Sequence, residues 1–175
     1  IGAALGVITD IFLTIPMFPV LILIASSVKI LDIMGMALIL SIFAWAWPSR
    51  QVRSQVLSLK ERDFISLAKL SGMSNIKIMA IEIFPHIAQW MIAAFINSML
   101  WAILQEVSLE ILGLGVQYLP TLGNIIYWAT YYGAVVRGIW WWWGFPILII
   151  MIIFTSLYLL HIGFDEVFNP RLKKR

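Results

Sequence analysis

The sequence predicts an all-α protein that crosses a membrane several times, and its composition and layout support that class. The 175 residues are 62% hydrophobic and 12% charged, whereas ordinary soluble domains are roughly 25% charged. A soluble domain of this size has too little interior to bury so much apolar surface, so lipid must surround much of the chain. The apolar runs are long and continuous, which favours helices over the alternating strands of a β-barrel. The basic residues are clustered rather than spread.

Four apolar blocks are predicted as membrane-spanning helices. Eighteen residues at about 1.5 Å each cover roughly 27 Å, close to the thickness of a bilayer core. Pro16 and Pro19 interrupt the first block, and Pro48 limits the second. A less apolar stretch, residues 116–138, is predicted as an external loop with a short surface helix. The predicted spans are residues 11–28, 33–47, 87–112 and 144–163.

The segment of residues 48–86 separates the second and third spans and carries six of the twelve Lys and Arg residues. Its pattern predicts two short helices joined at Gly72, which can take the left-handed conformation that ends a helix. Asp63 can cap the first helix and Ser74 the second, which is expected to stop near Pro85. Helical spacing predicts one apolar face in each helix: Phe64, Leu67, Ala68 and Ser71 in the first, and Ile76, Met79, Ala80 and Ile83 in the second. Together the two helices would project from the membrane.

The distribution of positive charge predicts the orientation. Residues 48–86 hold six basic residues and the tail, residues 165–175, holds four, so ten of the twelve fall in two segments. Two spans separate these segments, so both can face the cytoplasm, as the positive-inside rule requires. Only Lys29 and Arg137 fall on the other side. With four spans, residue 1 also faces the cytoplasm.

The loop resembles a motif of the permease subunits of binding-protein-dependent ABC importers. The family pattern is Glu-Ala-Ala, then a glycine, then Ile-x-Leu-Pro, and here residues 66–68, Gly72 and residues 82–85 occupy those positions at the same spacing. Residues 52–64 (VRSQVLSLKERDF) and 106–117 (EVSLEILGLGVQ), with the terminal NPRL, are similar to the dipeptide and oligopeptide subfamily. The resemblance covers nearly the whole chain in order.

This resemblance implies a type I ABC importer permease fold with a cytoplasmic coupling helix. Residues 1–175 would form a permease domain that continues before residue 1, and residues 48–86 would be its coupling loop. Ser66 replaces the family's acid and Leu67 replaces an alanine, so Glu61 or Asp63 is a candidate source of the missing negative charge. The residues expected to contact an ATPase are Glu61, Asp63, Phe64, Ser66, Leu67, Ala68, Gly72 and Pro85.

The resemblance also implies partners and a location. The expected partners are a second homologous permease subunit, two cytoplasmic ATPase subunits and an extracytoplasmic solute-binding protein, in the inner (cell) membrane of a bacterium or archaeon. The chain has no GxxxxGK[ST] phosphate loop, so ATP and Mg²⁺ are expected on the ATPases, with no cofactor and no nucleic acid on this chain. The expected solute is an oligopeptide. An oligosaccharide is the alternative, because the Trp140 to Trp143 run suits either sugar stacking or membrane anchoring.

Asn97, Glu106 and Glu110 are the polar residues expected to line the translocation path. Glu106 and Glu110 lie one helical turn apart and share a face, and acids within a membrane usually line a polar route or pair internally. The alternative is that both acids are solvated at the external end. Two other function classes stay open, a membrane enzyme that uses the two acids as an acid/base pair and an assembly protein without transport. The two histidines, His86 and His161, lack the spacing of a metal site.

Overall fold

The computed structural model describes residues 2–28 and 32–168, with side chains described for 4–28 and 32–164, and within these ranges every regular element is helical. Lys29 and the basic residues of the tail lie outside the described side chains. The elements in chain order are α1 Gly2–Thr14, α2 Met17–Ser27, α3 Ile33–Ala44, α4 Ala46–Lys60, α5 Asp63–Leu70, α6 Asn75–Lys77, a π-helical stretch Ile78–Ile83, α7 Phe84–Ile111, α8 Leu122–Tyr131 and α9 Trp140–Phe168.

Three helical stretches are long and apolar enough to cross a membrane: Ile33–Lys60, Asn75–Ile111 and Trp140–Phe164. A fourth crossing is formed if the bent pair Ala4–Thr14 and Met17–Ser27 counts as one span. The prediction of an all-α polytopic protein with about four spans is therefore confirmed. The stretch Asn75–Ile111 has 37 residues, or about 55 Å at 1.5 Å per residue, whereas a bilayer core is about 30 Å thick. One end of this helix must therefore extend well beyond the lipid.

The first apolar block is interrupted at Pro16, as predicted, but not at Pro19. Its two helices, α1 and α2, meet at a bend of 78°. Pro16 stands at the bend in an extended conformation, with φ −69° and ψ 94°. Because proline has no N–H and its ring clashes with the preceding turn, α1 cannot continue through it. Pro19, by contrast, lies in the first turn of α2, where a missing N–H costs nothing.

The limit predicted at Pro48 is confirmed, because α3 ends at Ala44 and α4 begins at Ala46, whereas the predicted stop near Pro85 was wrong. Pro48 is the third residue of α4, a position whose N–H has no intrahelical partner in any case. Pro85 is the second residue of α7 and follows the π-helical stretch, in which the Phe84 N–H donates to the Met79 carbonyl. The wider π turn shifts the hydrogen-bond register just before Pro85, so the helix continues to Ile111.

The membrane helices pack around one apolar core. Leu21 and Ala25 of α2, the buried residues of α3, and Leu109 of α7 meet there. Helices α8 and α9 pack on α7 and on each other. Helix α1 lies against α4, and the Arg50 guanidinium is 3.5 Å from the Asp10 carboxylate. Helix α4, which leads into the loop, is thus fixed to α1.

Candidate docking knob and buried polar cluster

The predicted loop helix is present as α5, but its start differs from the prediction by one residue. Arg62, not Asp63, is the N-cap residue, and its side chain makes no capping hydrogen bond. Asp63 is the first helical residue and is exposed. Its carboxylate therefore lies at the positive end of the helix dipole, where negative charge is favourable. The cap prediction for Asp63 was wrong, although the residue still begins the helix.

The predicted end of α5 is confirmed. Gly72 has φ +80°, a left-handed conformation that glycine adopts at little cost. The Gly72 N–H donates to the Lys69 carbonyl at 3.0 Å, and the Met73 N–H donates to the Ala68 carbonyl at 3.1 Å. These two bonds define a Schellman motif. Two residues later Ser74 caps the next helix, because its hydroxyl oxygen accepts from the Lys77 N–H at 3.4 Å.

One side of α5 is buried against the ends of the long helices. Ile65 and Ala68 are 1% and 7% exposed and pack with Ile78, Ile83 and Ile87. Phe64 lies at the edge of this cluster, and its ring stacks on His86 with centroids 5.1 Å apart. The contacts join α5 to α4, the π-helical stretch and α7, so the short helix is fixed to two membrane-spanning helices.

The opposite side of this region carries apolar residues that nothing in the described chain covers. Leu67, Leu70 and Ile76 are 65%, 85% and 80% exposed, and we call these three residues the apolar knob. Leu67 and Leu70 are three apart and share an edge of α5. The predicted face that joined Leu67 to Phe64 and Ala68 was wrong, because Leu67 points outward while the other two pack inward. Helical spacing from Leu67 could have found Leu70.

The remaining residues that were expected to contact an ATPase are exposed. Glu61 is the C-cap residue of α4, and it is exposed, as are Ser66 and Pro85. Among the described residues neither Glu61 nor Asp63 is in an ion pair. No three His, Asp or Glu side chains of the described part could hold a metal ion together. Whether Glu61 or Asp63 replaces the charge absent at Ser66 stays a prediction.

Glu110 lies at the other end of α7 and is completely buried. The Thr121 hydroxyl donates to its Oε2 at 2.5 Å, whereas its Oε1 is buried without a hydrogen-bond partner among the described residues. A Cβ atom at Gly123 would lie 2.8 Å from the Glu110 Cβ. The alternative of a solvated Glu110 was therefore wrong. The part of Glu110 in a translocation path stays a prediction.

Asn124 extends this arrangement across the loop between α7 and α8. Its side-chain amide donates to the carbonyls of Val116, Gln117 and Leu119 at 3.3, 3.2 and 2.8 Å. We call Glu110, Thr121 and Asn124 the buried polar cluster. Thr121 and Asn124 were not predicted from the sequence, although a threonine at the N-cap position of a helix such as α8 is a capping signal.

The three predicted path residues do not converge on one site. Glu106 is partly exposed and lies at a groove of about 390 Å³ between α3 and α7. Asn97 lines a different cavity of about 490 Å³, bordered by the bend between α1 and α2, and its side-chain amide donates to the Ala93 carbonyl at 2.9 Å. Glu110 is enclosed in the buried polar cluster. An acid/base pair of Glu106 with Glu110 finds no support here.

The predicted external segment contains the surface helix that was expected, α8, and an aromatic stack beside it. The Tyr132 ring stacks on Trp128 at 5.8 Å and on Trp142 at 6.0 Å. Trp140 and Trp141 instead are 58% and 53% exposed. The four tryptophans therefore do not form a single surface.

Comparison with known proteins agrees with the motifs of the loop. Residues 1–174 match the family described as "Binding-protein-dependent transport system inner membrane component". The chain is 33% identical over 111 residues to the oligopeptide transport system permease protein OppC of Mycobacterium tuberculosis, covering 63% of this chain and 38% of that protein. It is 26% identical over 152 residues to OppC of Lactococcus lactis subsp. cremoris, covering 86% and 52%.

A third relative is the dipeptide transport system permease protein DppC of Lactococcus lactis subsp. cremoris, which is 36% identical over 89 residues, covering 50% of this chain and 26% of that protein. The chain thus matches between about a quarter and a half of the length of these relatives.

Proposed function

We propose, because this chain belongs to the family of binding-protein-dependent transport system inner membrane components, that it forms part of the translocation path of an ATP-driven importer. The apolar knob is the observation that carries the proposal. A rigidly held, outward-facing apolar surface on a segment that extends beyond the lipid is suited to bind a protein partner. We place this surface in the cytoplasm, where six of the basic residues also lie.

The partners follow from the family and from what the knob can bind. A second permease subunit would complete the path, and a solute-binding protein would deliver the solute from outside. We place ATP hydrolysis and its Mg²⁺ on two separate ATPase subunits. Each ATPase would receive one coupling helix in a surface cleft. Leu67 and Leu70 would enter that cleft, while the exposed carboxylates of Glu61 and Asp63 would meet its rim.

The proposed mechanism is a rigid-body movement. Ile65 and Ala68 join α5 to the π-helical stretch and α7, so a displacement of the knob moves the long helices with it. Because α5 ends at Gly72, this helix would not extend beyond the cleft of the ATPase. The helix Asn75–Ile111 then carries the movement from the knob to Glu106 and the buried polar cluster at its far end.

An oligopeptide is the solute that we propose. The relatives at 26–36% identity are named as oligopeptide or dipeptide permeases. We therefore prefer peptides to oligosaccharides.

The test replaces the two leucines of α5 in the assembled transporter. In Leu67→Ser combined with Leu70→Ser, the complex should retain its permease subunits but lose co-purifying ATPase, and ATP-driven peptide uptake should fall at least about ten-fold, since a few buried apolar side chains carry most of an interface's energy. Leu57→Ser is the matched control, because Leu57 is 51% exposed on α4 and lies outside the knob. It should leave both measurements unchanged. Normal ATPase binding and uptake in the double variant would refute the docking role.

A further inference from the structure

The groove between α3 and α7 has one charged group on otherwise apolar walls. It encloses about 390 Å³, and most of its lining is aliphatic, including Met36 and Leu40 of α3 and Ile103 of α7. The side chain of Ser41 also lines it, but its hydroxyl donates to the Leu38 carbonyl of its own helix at 2.8 Å. Glu106 is the only acid or base in this lining. A groove of this size falls in the range of small-molecule sites.

Glu106 has no cationic partner among the described residues. The only ion pair found there joins Arg50 to Asp10, at the far side of α1 and α4. Arg137 is exposed and follows α8, and Glu110, one turn further along α7, is itself acidic and bound by Thr121. A carboxylate within a membrane is costly unless it is paired or lines a route for a charged species. No described residue supplies a positive charge to Glu106, so its carboxyl group is free to pair with a cation from elsewhere.

We infer that Glu106 binds a protonated amine of the transported solute in the α3–α7 groove. This inference rests on the proposed transport function. It specifies that the translocation path selects solutes with a positively charged amine. An amine next to an alkyl or small side chain matches a site with one carboxylate and aliphatic walls. A bare metal cation does not match it, because Ca²⁺ and Mg²⁺ need several oxygen ligands to replace their water. The amino terminus of a peptide has the required chemistry.

The first experiment compares trialanine with N-acetyl-trialanine in the complete transporter reconstituted in vesicles. The solute-binding protein can itself prefer the free amine. That preference is the same for every permease variant, so it cancels when the uptake ratio of the two peptides in a variant is divided by the same ratio in the wild type. In Glu106→Gln, the preference for trialanine over its acetylated form should shrink about ten-fold relative to the wild type. Glu106→Asp, which keeps the charge, should restore most of the preference.

The second experiment detects the contact without transport. A carbodiimide joins a carboxylate to an amine as an amide, with loss of water that converts the carbodiimide to a urea. With the purified complex, trialanine should be attached at Glu106 and located by mass spectrometry, while N-acetyl-trialanine should not be attached. Glu110 serves as the internal control, because it is fully buried and should stay unmodified.

The outcomes separate this inference from the proposed function. If Glu106→Gln lowers the uptake of trialanine and of N-acetyl-trialanine equally, or changes neither, the inference is overturned. The proposed importer function is unaffected by that result. Equal loss would instead indicate that Glu106 pairs with a basic residue of the protein, either one of this chain outside the described residues or one of another subunit. Absence of attachment at Glu106 while exposed carboxylates react would also overturn it. Attachment at Glu106 without any ATP-driven uptake would support the amine site and refute peptide import.

Discussion

Two helix ends of this protein share one backbone arrangement and differ in everything around it. Helix α5 ends at Gly72, with φ +80°, and α7 ends at Gly113, with φ +77°. At the second end the Gly113 N–H donates to the Glu110 carbonyl at 2.8 Å, and the Leu114 N–H donates to the Leu109 carbonyl at 2.9 Å. This is the same Schellman pattern as at Gly72. Each glycine is then followed by a capping residue, Ser74 or Thr121, that begins the next helix.

The surroundings of the two ends give them opposite roles. A Cβ atom at Gly72 would meet nothing within 4 Å, and Leu70 beside it is 85% exposed. A Cβ atom at Gly113 would lie 3.0 Å from the Tyr127 ring, and Glu110 beside it is fully buried. The first end therefore presents an apolar surface to a partner, whereas the second closes a polar core. The Schellman motif fixes the path of the backbone at each helix end, whereas tertiary packing determines whether that end is exposed or buried.

We call the end of α5 at Gly72 the open end and the end of α7 at Gly113 the closed end. The largest effect is expected at the closed end. In Gly123→Val, the added side chain would meet the Glu110 Cβ at 2.8 Å and the Val107 Cα at 3.1 Å. The contact with Val107 is backbone, which cannot move aside cheaply, so the free energy of unfolding should fall by about 3 kcal/mol. Thermal unfolding of the purified protein in detergent measures this loss.

Gly163→Val is the control for Gly123→Val, because Gly163 is a helical glycine with nothing within 4 Å of an added Cβ. It should lose much less stability than Gly123→Val. Equal losses at the two sites would show that valine in a helix, and not the close approach of α8 to α7, causes the effect.

The open end was predictable from the sequence, because its determinants are local. Gly72 and Ser74 act through hydrogen bonds to residues three to five positions away, and such signals stand next to each other in the chain. The resemblance to the permease motif rests on the same local spacing. The side on which Leu67 lies was not predictable, because the choice between two apolar edges of α5 depends on where Ile78 and Ile87 pack.

The closed end could be predicted only in part. The predicted span 87–112 placed the helix end correctly, but the burial of Glu110 depends on Thr121, which is eleven residues away and reaches it only after the loop folds back. An acid near the end of an apolar helix is equally compatible with solvation. Likewise, the continuity of the helix past Pro85 depends on a π turn that has no clear sequence signature.

A smaller effect should separate the two glycines themselves. An alanine in the left-handed conformation costs about 1 kcal/mol at either position. At Gly113 the new methyl group also meets the Tyr127 ring at 3.0 Å, so Gly113→Ala should lose about 2 kcal/mol against about 1 kcal/mol for Gly72→Ala. Thermal unfolding of the two variants side by side gives the difference.

Tyr127→Leu provides the check on the two alanine variants. Removing the ring should bring the loss caused by Gly113→Ala close to that of Gly72→Ala, without changing the latter. If the two alanine variants are equally stable in the presence of Tyr127, the ring yields without cost and packing does not distinguish the two ends.

The last comparison concerns the two caps that follow the glycines, of which Ser74 should show the smallest effect. Ser74 accepts from the Lys77 N–H at 3.4 Å and has no other side-chain bond in the described structure, so Ser74→Ala should cost about 0.5 kcal/mol.

Thr121 accepts from the Asn124 N–H at 3.2 Å and also donates to Glu110 at 2.5 Å. Thr121→Ala leaves a buried carboxylate without its hydroxyl donor and should cost about 2 kcal/mol. Thr121→Ser keeps the hydroxyl and should retain most of the stability in thermal unfolding. Should Thr121→Ala cost no more than Ser74→Ala, the bond to Glu110 contributes nothing, and the closed end is held by apolar packing alone.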